Sequence, residues 1–134
     1  MKKIKLGLVG CGRISKNHFD TIEFYKADIE LKAICDVDEK ILRDLEERYK
    51  VNSYIDIVSM LDQEDLDLVI LCTPSGIHAK QTILCANHGV NVLTEKPMAT
   101  RWEDGIKMVK ACDEANVRLF VVKQNRYNKT IELL

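Results

Sequence analysis

A chain of 134 residues with 46% hydrophobic side chains suits one domain and carries enough apolar content for a true core. Its 20 basic and 21 acidic residues leave a net charge of −1, which excludes the basic footprint of a nucleic-acid or anionic-membrane binder. Five cysteines, odd in number and without C-x-x-C or Cys/His ligand spacing, point to neither a disulfide framework nor a metal site, and they suit a reducing cytoplasmic setting.

Met1-Lys2-Lys3 runs straight into an apolar segment, Ile4–Val9, with no leader pattern, and no stretch approaches membrane-spanning length. The segment predicts strand 1. It breaks at Gly10-Cys11-Gly12-Arg13-Ile14-Ser15, which opens a helix over about 13–25. Strand 2, Ile29–Cys35, ends on Asp36. Strand, glycine turn, helix, strand and terminal acid together make the fingerprint of a dinucleotide site. Gly10 permits the sharp turn, and Gly12 lets a pyrophosphate approach the backbone. The following helix aims free N–H groups and the positive end of its dipole at those phosphates. Ser15 stands where Gly or Ala is usual and is small enough for the same packing. Asp36 lies about 20 positions further on, where an acid accepts hydrogen bonds from an adenosine ribose. The competing reading is a glycine turn with no ligand; the acid in register argues against it.

Asp36 and Glu39 match a capping box before a helix over about 38–49. A short third strand over 51–54 and a short helix over 57–61 follow. Leu68–Cys72 is a continuous apolar run, as in a parallel strand covered on both faces. His78–His88 predicts a helix closed by Gly89, with His88 meeting the last carbonyls. Asn91–Thr94 is the next strand. Thr100 and Glu103 match another capping box, and Trp102, Ile106, Val109 and Cys112 form an apolar stripe read as core. Leu119–Val122 is the last strand. The alternation predicts an α/β, Rossmann-type, doubly wound parallel sheet of order 3-2-1-4-5-6, with every strand's carboxyl end on one rim.

Ligands bind on that rim, so the segments after the strands carry the chemistry. After strand 4 comes Thr73-Pro74-Ser75-Gly76-Ile77-His78, where Thr73 or Ser75 can cap the next helix. After strand 5 comes Glu95-Lys96-Pro97, and after strand 6 the polar run Lys123-Gln124-Asn125-Arg126-Tyr127-Asn128. Local alternatives are an ordinary loop for the first and a surface ion pair for the second. His18, inside the first helix, is read as a packing or solvent-facing residue. Cys11 is read as packing despite its place in the turn.

Gly-Cys-Gly-Arg-Ile after strand 1, Thr-Pro-x-x-x-His after strand 4 and Glu-Lys-Pro after strand 5 resemble the Gfo/Idh/MocA oxidoreductases, relatives of glucose–fructose oxidoreductase and myo-inositol dehydrogenase. The resemblance covers essentially the whole chain. The run 123–128 is similar to the branch that oxidises UDP-N-acetylglucosaminuronic acid at its 3-hydroxyl in bacterial surface-polysaccharide synthesis.

The resemblance implies NAD as cofactor. Gly10, Gly12, Arg13 and Ile14 would hold the pyrophosphate, and Asp36 the ribose. Thr73, Pro74 and His78 would line the dinucleotide, Glu95 would help hold the nicotinamide half, and Gln124 would reach its ribose. Lys96 matches the family's catalytic lysine, contacting substrate together with Arg126. A lysine buried beside the positively charged nicotinamide would be disfavoured as ammonium and could relay the hydroxyl proton.

In the family a second α/β domain follows, supplying most substrate contacts and the oligomer interface. The expectation is therefore a Rossmann domain over 1–123, with 124–134 starting the connection to an absent C-terminal domain. Alone it would bind NAD and be inactive. The full-length protein would be a homo-oligomer acting on a sugar or nucleotide sugar, with no nucleic acid and no membrane involved. A stand-alone nucleotide-binding module and a methyltransferase are the other readings; Glu-Lys-Pro suits neither.

Overall fold

The computed structural model describes residues 2–124. Six strands, β1 (Ile4–Val9), β2 (Ile29–Cys35), β3 (Asn52–Tyr54), β4 (Leu68–Leu71), β5 (Asn91–Thr94) and β6 (Leu119–Val121), form one sheet of order β3-β2-β1-β4-β5-β6. Every neighbouring pair is parallel. Five helices connect them: α1 (Ser15–Phe24), α2 (Glu39–Tyr49), α3 (Ile57–Gln63), α4 (His78–Asn87) and α5 (Trp102–Glu114), with a 3-10 turn, Ser75–Ile77, leading into α4. This is the expected doubly wound topology, and the bounds of β1, β2 and β5 coincide with the sequence reading.

Strand residues alternate between two cores, which is why β4 and the carboxyl-terminal halves of β1 and β2 are apolar on both faces. Leu6, Leu8, Ile34 and Ile70 face Phe19 and Ile22 of α1 and Leu42 of α2. Val9, Ala33, Val69, Leu71 and Val92 face Met60 of α3 and Cys85 of α4. Phe19 and Tyr49 stack with centroids 4.7 Å apart, tying α1 to α2.

Three expectations fail locally. The cap of α2 is Asp38, whose carboxylate accepts from the N–H groups of Lys40 and Ile41. Asp36 instead bonds outside the helix. α5 starts at Trp102 behind Arg101 with no side-chain cap, so Thr100 and Glu103 form no box. Of the stripe read as core, Cys112 is buried, but Trp102 is 81% exposed, Ile106 50% and Val109 46%. The face of α5 that is buried carries Met108 and Cys112, and the helix packs on α4.

His88 follows α4, as expected of a helix-end cation. Its Nδ1 lies 2.8 Å from the Leu84 carbonyl and its Nε2 2.9 Å from Asp62 Oδ1. The carbonyl first, then the carboxylate, raise the pKa above the ordinary 6.5. The fold therefore favours imidazolium. That stabilisation is complete below the unfolded value and disappears as pH rises through the folded one. Urea unfolding of the wild type and His88→Gln should differ by about 0.5–1 kcal/mol at pH 5.5, with the gap closing by about pH 9.

Candidate functional site

The carboxyl ends of β1, β2 and β4 meet at Gly10. Its N–H donates to the Cys35 carbonyl at 2.8 Å, and its φ is +88°. A Cβ there would lie 2.7–2.9 Å from the backbone of Cys72 and Thr73. The fold itself therefore demands glycine at this position. Gly12 differs: a Cβ there would meet nothing within 4 Å. Space above the turn is left open, next to the first turn of α1, which no side chain caps. Ser15 is buried beneath it and its hydroxyl donates to the Gly12 carbonyl at 2.5 Å. An open turn and uncapped N–H groups at a ten-residue helix fit a diphosphate.

A cleft of about 540 Å³ runs from this turn along the rim. Of the expected residues, Gly10, Gly12, Asp36, Thr73 and Pro74 line it. Asp36 Oδ2 accepts from the Cys11 N–H at 2.7 Å and Oδ1 from the Asp38 N–H at 2.9 Å. These two bonds fix the carboxylate, and each oxygen retains a second lone pair for a ribose hydroxyl. Thr73 caps nothing: its hydroxyl donates to Gln81 Oε1, and no side chain caps the 3-10 turn or α4. Arg13 and Ile14 are exposed on the glycine turn. Val37, Ile55 and Ile77 also border the cleft and are 88%, 56% and 41% exposed. They supply apolar faces of the kind a purine packs against. Sequence reasoning passed over Val37 and Ile55, although each sits just beyond the carboxyl end of a strand, the position that marks a rim residue.

Cys11 is buried in the turn, with its thiol 3.6 Å from the Cys35 carbonyl. Burial, then the neighbouring Asp36, push its pKa up to about 12. Burial likewise pushes Cys35, Cys72 and Cys85 up to about 12. All five thiols are free and buried, so packing is their role. In the folded chain they should resist a soluble disulfide reagent at pH 8 over a time in which the unfolded chain reacts completely.

The two histidines depart from expectation. His78 is 1% exposed and does not line the cleft. Its Nε2 is 2.7 Å from the Thr73 carbonyl and its Nδ1 3.0 Å from the Pro97 carbonyl, so the ring bridges two rim loops from behind. His18 is neither solvent-facing nor simply packed: its Nε2 meets Glu95 Oε1 at 2.6 Å, with the two side chains 14% and 10% exposed. Glu95 is thus engaged with α1 through Oε1. Lys96, expected to be buried, is exposed, and the Lys96–Pro97 bond is cis. Gln124 is exposed at the end of the described chain; Arg126 lies outside the described residues.

Residues 4–123 match the model of an oxidoreductase family with an NAD-binding Rossmann fold. The chain belongs to this family, Gfo/Idh/MocA. WlbA dehydrogenase from Chromobacterium violaceum, solved with NADH and UDP-GlcNAcA, is 51% identical with a TM-score of 0.95, over 99% of this chain and 39% of that one. The Bordetella pertussis WlbA dehydrogenase, with the same two ligands, is 52% identical with a TM-score of 0.95, over 98% of this chain and 40% of that one. D-Apiose dehydrogenase of Paraburkholderia graminis is 33% identical over 98% of this chain and 35% of its own length. Myo-inositol 2-dehydrogenase of Thermotoga maritima is 29% identical over 98% of this chain and 39% of its own. The chain therefore spans well under half the length of these relatives.

The contrast between the two glycines can be tested. Gly10→Ala should cost about 3 kcal/mol or more of stability, since a left-handed φ and a backbone clash coincide. Gly12→Ala should leave the urea midpoint nearly unchanged and weaken NAD at least about tenfold by calorimetry.

Proposed function

We propose, from membership of that family, that this chain is the nucleotide-binding domain of a longer NAD-dependent dehydrogenase acting on a secondary hydroxyl of a nucleotide sugar. The specific substrate we assign is UDP-N-acetylglucosaminuronic acid, in a step of surface-polysaccharide biosynthesis. The observation that carries this reading is the likeness, at just over half identity, to two dehydrogenases solved with NADH and UDP-GlcNAcA. D-Apiose and inositol dehydrogenases among the relatives support the broader class of polyhydroxylated substrate.

When bound, NAD accepts the two electrons of the C–H bond as hydride. The chain's own part is to bind, orient and move a proton. Gly12, Arg13 and Ile14 present the turn to the diphosphate, and Asp36 takes the adenosine ribose. A 2′-phosphate would set its negative charge against an Asp36 carboxylate that two backbone N–H groups hold in place, so NAD is favoured over NADP. Lys96, as the free amine, accepts the proton of the sugar hydroxyl as the carbonyl forms, and passes it to solvent. Gln124 and Arg126 extend the site toward the nicotinamide ribose and the sugar. Residues 124–134 begin the connection to a substrate-binding domain, and without that domain the chain binds cofactor and turns nothing over.

Calorimetric titration of the chain should show NAD binding at least about tenfold tighter than NADP, with no binding of S-adenosylmethionine. In the full-length enzyme, Lys96→Ala should lower kcat by about 10²–10⁴ and leave NAD affinity within about twofold. Undiminished turnover by that variant would refute the role given to the lysine. NADP binding as tightly as NAD would refute the role given to Asp36.

A further inference from the structure

Glu95-Lys96-Pro97 leaves β5 as an irregular segment, yet it is held from both sides. On one side, His18 of α1 donates through Nε2 to Glu95 Oε1 at 2.6 Å. The Glu95 N–H continues the sheet ladder to the Leu71 carbonyl at 2.9 Å. On the other side, His78 at the start of α4 meets the Pro97 carbonyl at 3.0 Å. Lys96 lies between the two anchors and is exposed.

Burying a carboxylate costs several kcal/mol unless it is paired, and Glu95 is 7% exposed. A hydrophobic residue would fill the end of β5 more cheaply. The pair thus supplies direction: a hydrogen bond of 2.6 Å, on side chains that have little room to rotate, fixes the backbone one residue before the lysine. His18 also sits on the helix whose N-terminus faces the open glycine turn. It therefore ties the element that would hold the diphosphate to the segment that carries the amine.

We propose that His18 is a positioning residue for Lys96, acting through Glu95, with His78 bracing the far side of the segment. This rests on the catalytic reading of Lys96. The test uses His18→Gln, whose amide N–H₂ can reach where Nε2 reaches, and His18→Asn, which stops short. In this chain, amide hydrogen exchange across 94–99 should quicken at least about tenfold in His18→Asn and stay near wild type in His18→Gln. NAD affinity by calorimetry should move less than about threefold in either variant.

In the full-length enzyme, His18→Asn should lower kcat about tenfold or more with KM for NAD little changed, and His18→Gln should restore most of it. Three outcomes overturn the proposal: wild-type exchange and kcat in His18→Asn, a loss of kcat that Gln fails to restore, or a loss of NAD affinity that matches the loss of kcat. Failure here is separable from failure of the catalytic reading. A His18→Asn enzyme that is fully active beside an inactive Lys96→Ala removes only the positioning role, whereas an active Lys96→Ala removes the lysine itself.

Discussion

The missing side chain at Gly10 is the constraint from which the rest of the rim follows. Three central strands end on that residue. β1 runs into it, its N–H is taken by the end of β2 at Cys35, and its empty Cβ position is filled by the backbone where β4 ends. Cys72 returns the contact by donating its own N–H to the Val9 carbonyl at 2.7 Å. Cys11 fills the space beneath the turn, Gly12 to Ile14 lie exposed over the sheet, and α1 begins there with no side-chain cap. Asp36 is drawn in by the same contact, because the Cys11 N–H beside Gly10 is the donor that fixes its carboxylate. One backbone approach thus sets the glycine turn, the start of the helix and the Asp36 carboxylate together.

Charge around that turn is managed by opposing effects, and burial wins. A thiol near a helix N-terminus ordinarily acidifies. Cys11 stands just before such a terminus, yet desolvation and the adjacent Asp36 carboxylate drive it the other way, to about 12. Cys35 and Cys72, at the neighbouring strand ends, move in the same direction. The floor of the turn therefore stays neutral and polarisable near pH 7, and adds no negative charge beneath the place where a diphosphate would lie. Asp36 sits instead at the edge of the cleft, its carboxylate held by the Cys11 and Asp38 N–H groups.

The sheet was legible because its signals are local. Apolar runs, glycine turns and strand ends specify the order β3-β2-β1-β4-β5-β6 once parallel strands and right-handed crossovers are granted. The cleft lining was legible at Gly10, Gly12, Asp36, Thr73 and Pro74 for the same reason. Caps were less so: Asp36 satisfied a spacing rule, but a long-range donor at Cys11 claimed its carboxylate and Asp38 took the helix. Periodicity found the amphipathic stripe on α5 but not its partner. A spacing of 102–106–109 says that these side chains share a face; it does not say that the described residues cover that face, and they do not. His18 was out of reach altogether, since its partner lies 77 positions away and no local pattern marks the pair.

On the role proposed for Lys96, its exposure separates two requirements that a proton-relaying lysine must meet. One is address: the amine must leave the backbone at a fixed point. The described residues supply it, through a buried Glu95 and a bridged Pro97 on either side. The other is desolvation, which raises the cost of the ammonium and lets the amine accept a proton. The described residues do not supply that, because Lys96 lies open on the rim. On the proposed reading, desolvation would come from what the rim receives when cofactor and substrate bind. Address is thus built into the parallel sheet, while reactivity depends on what the rim receives.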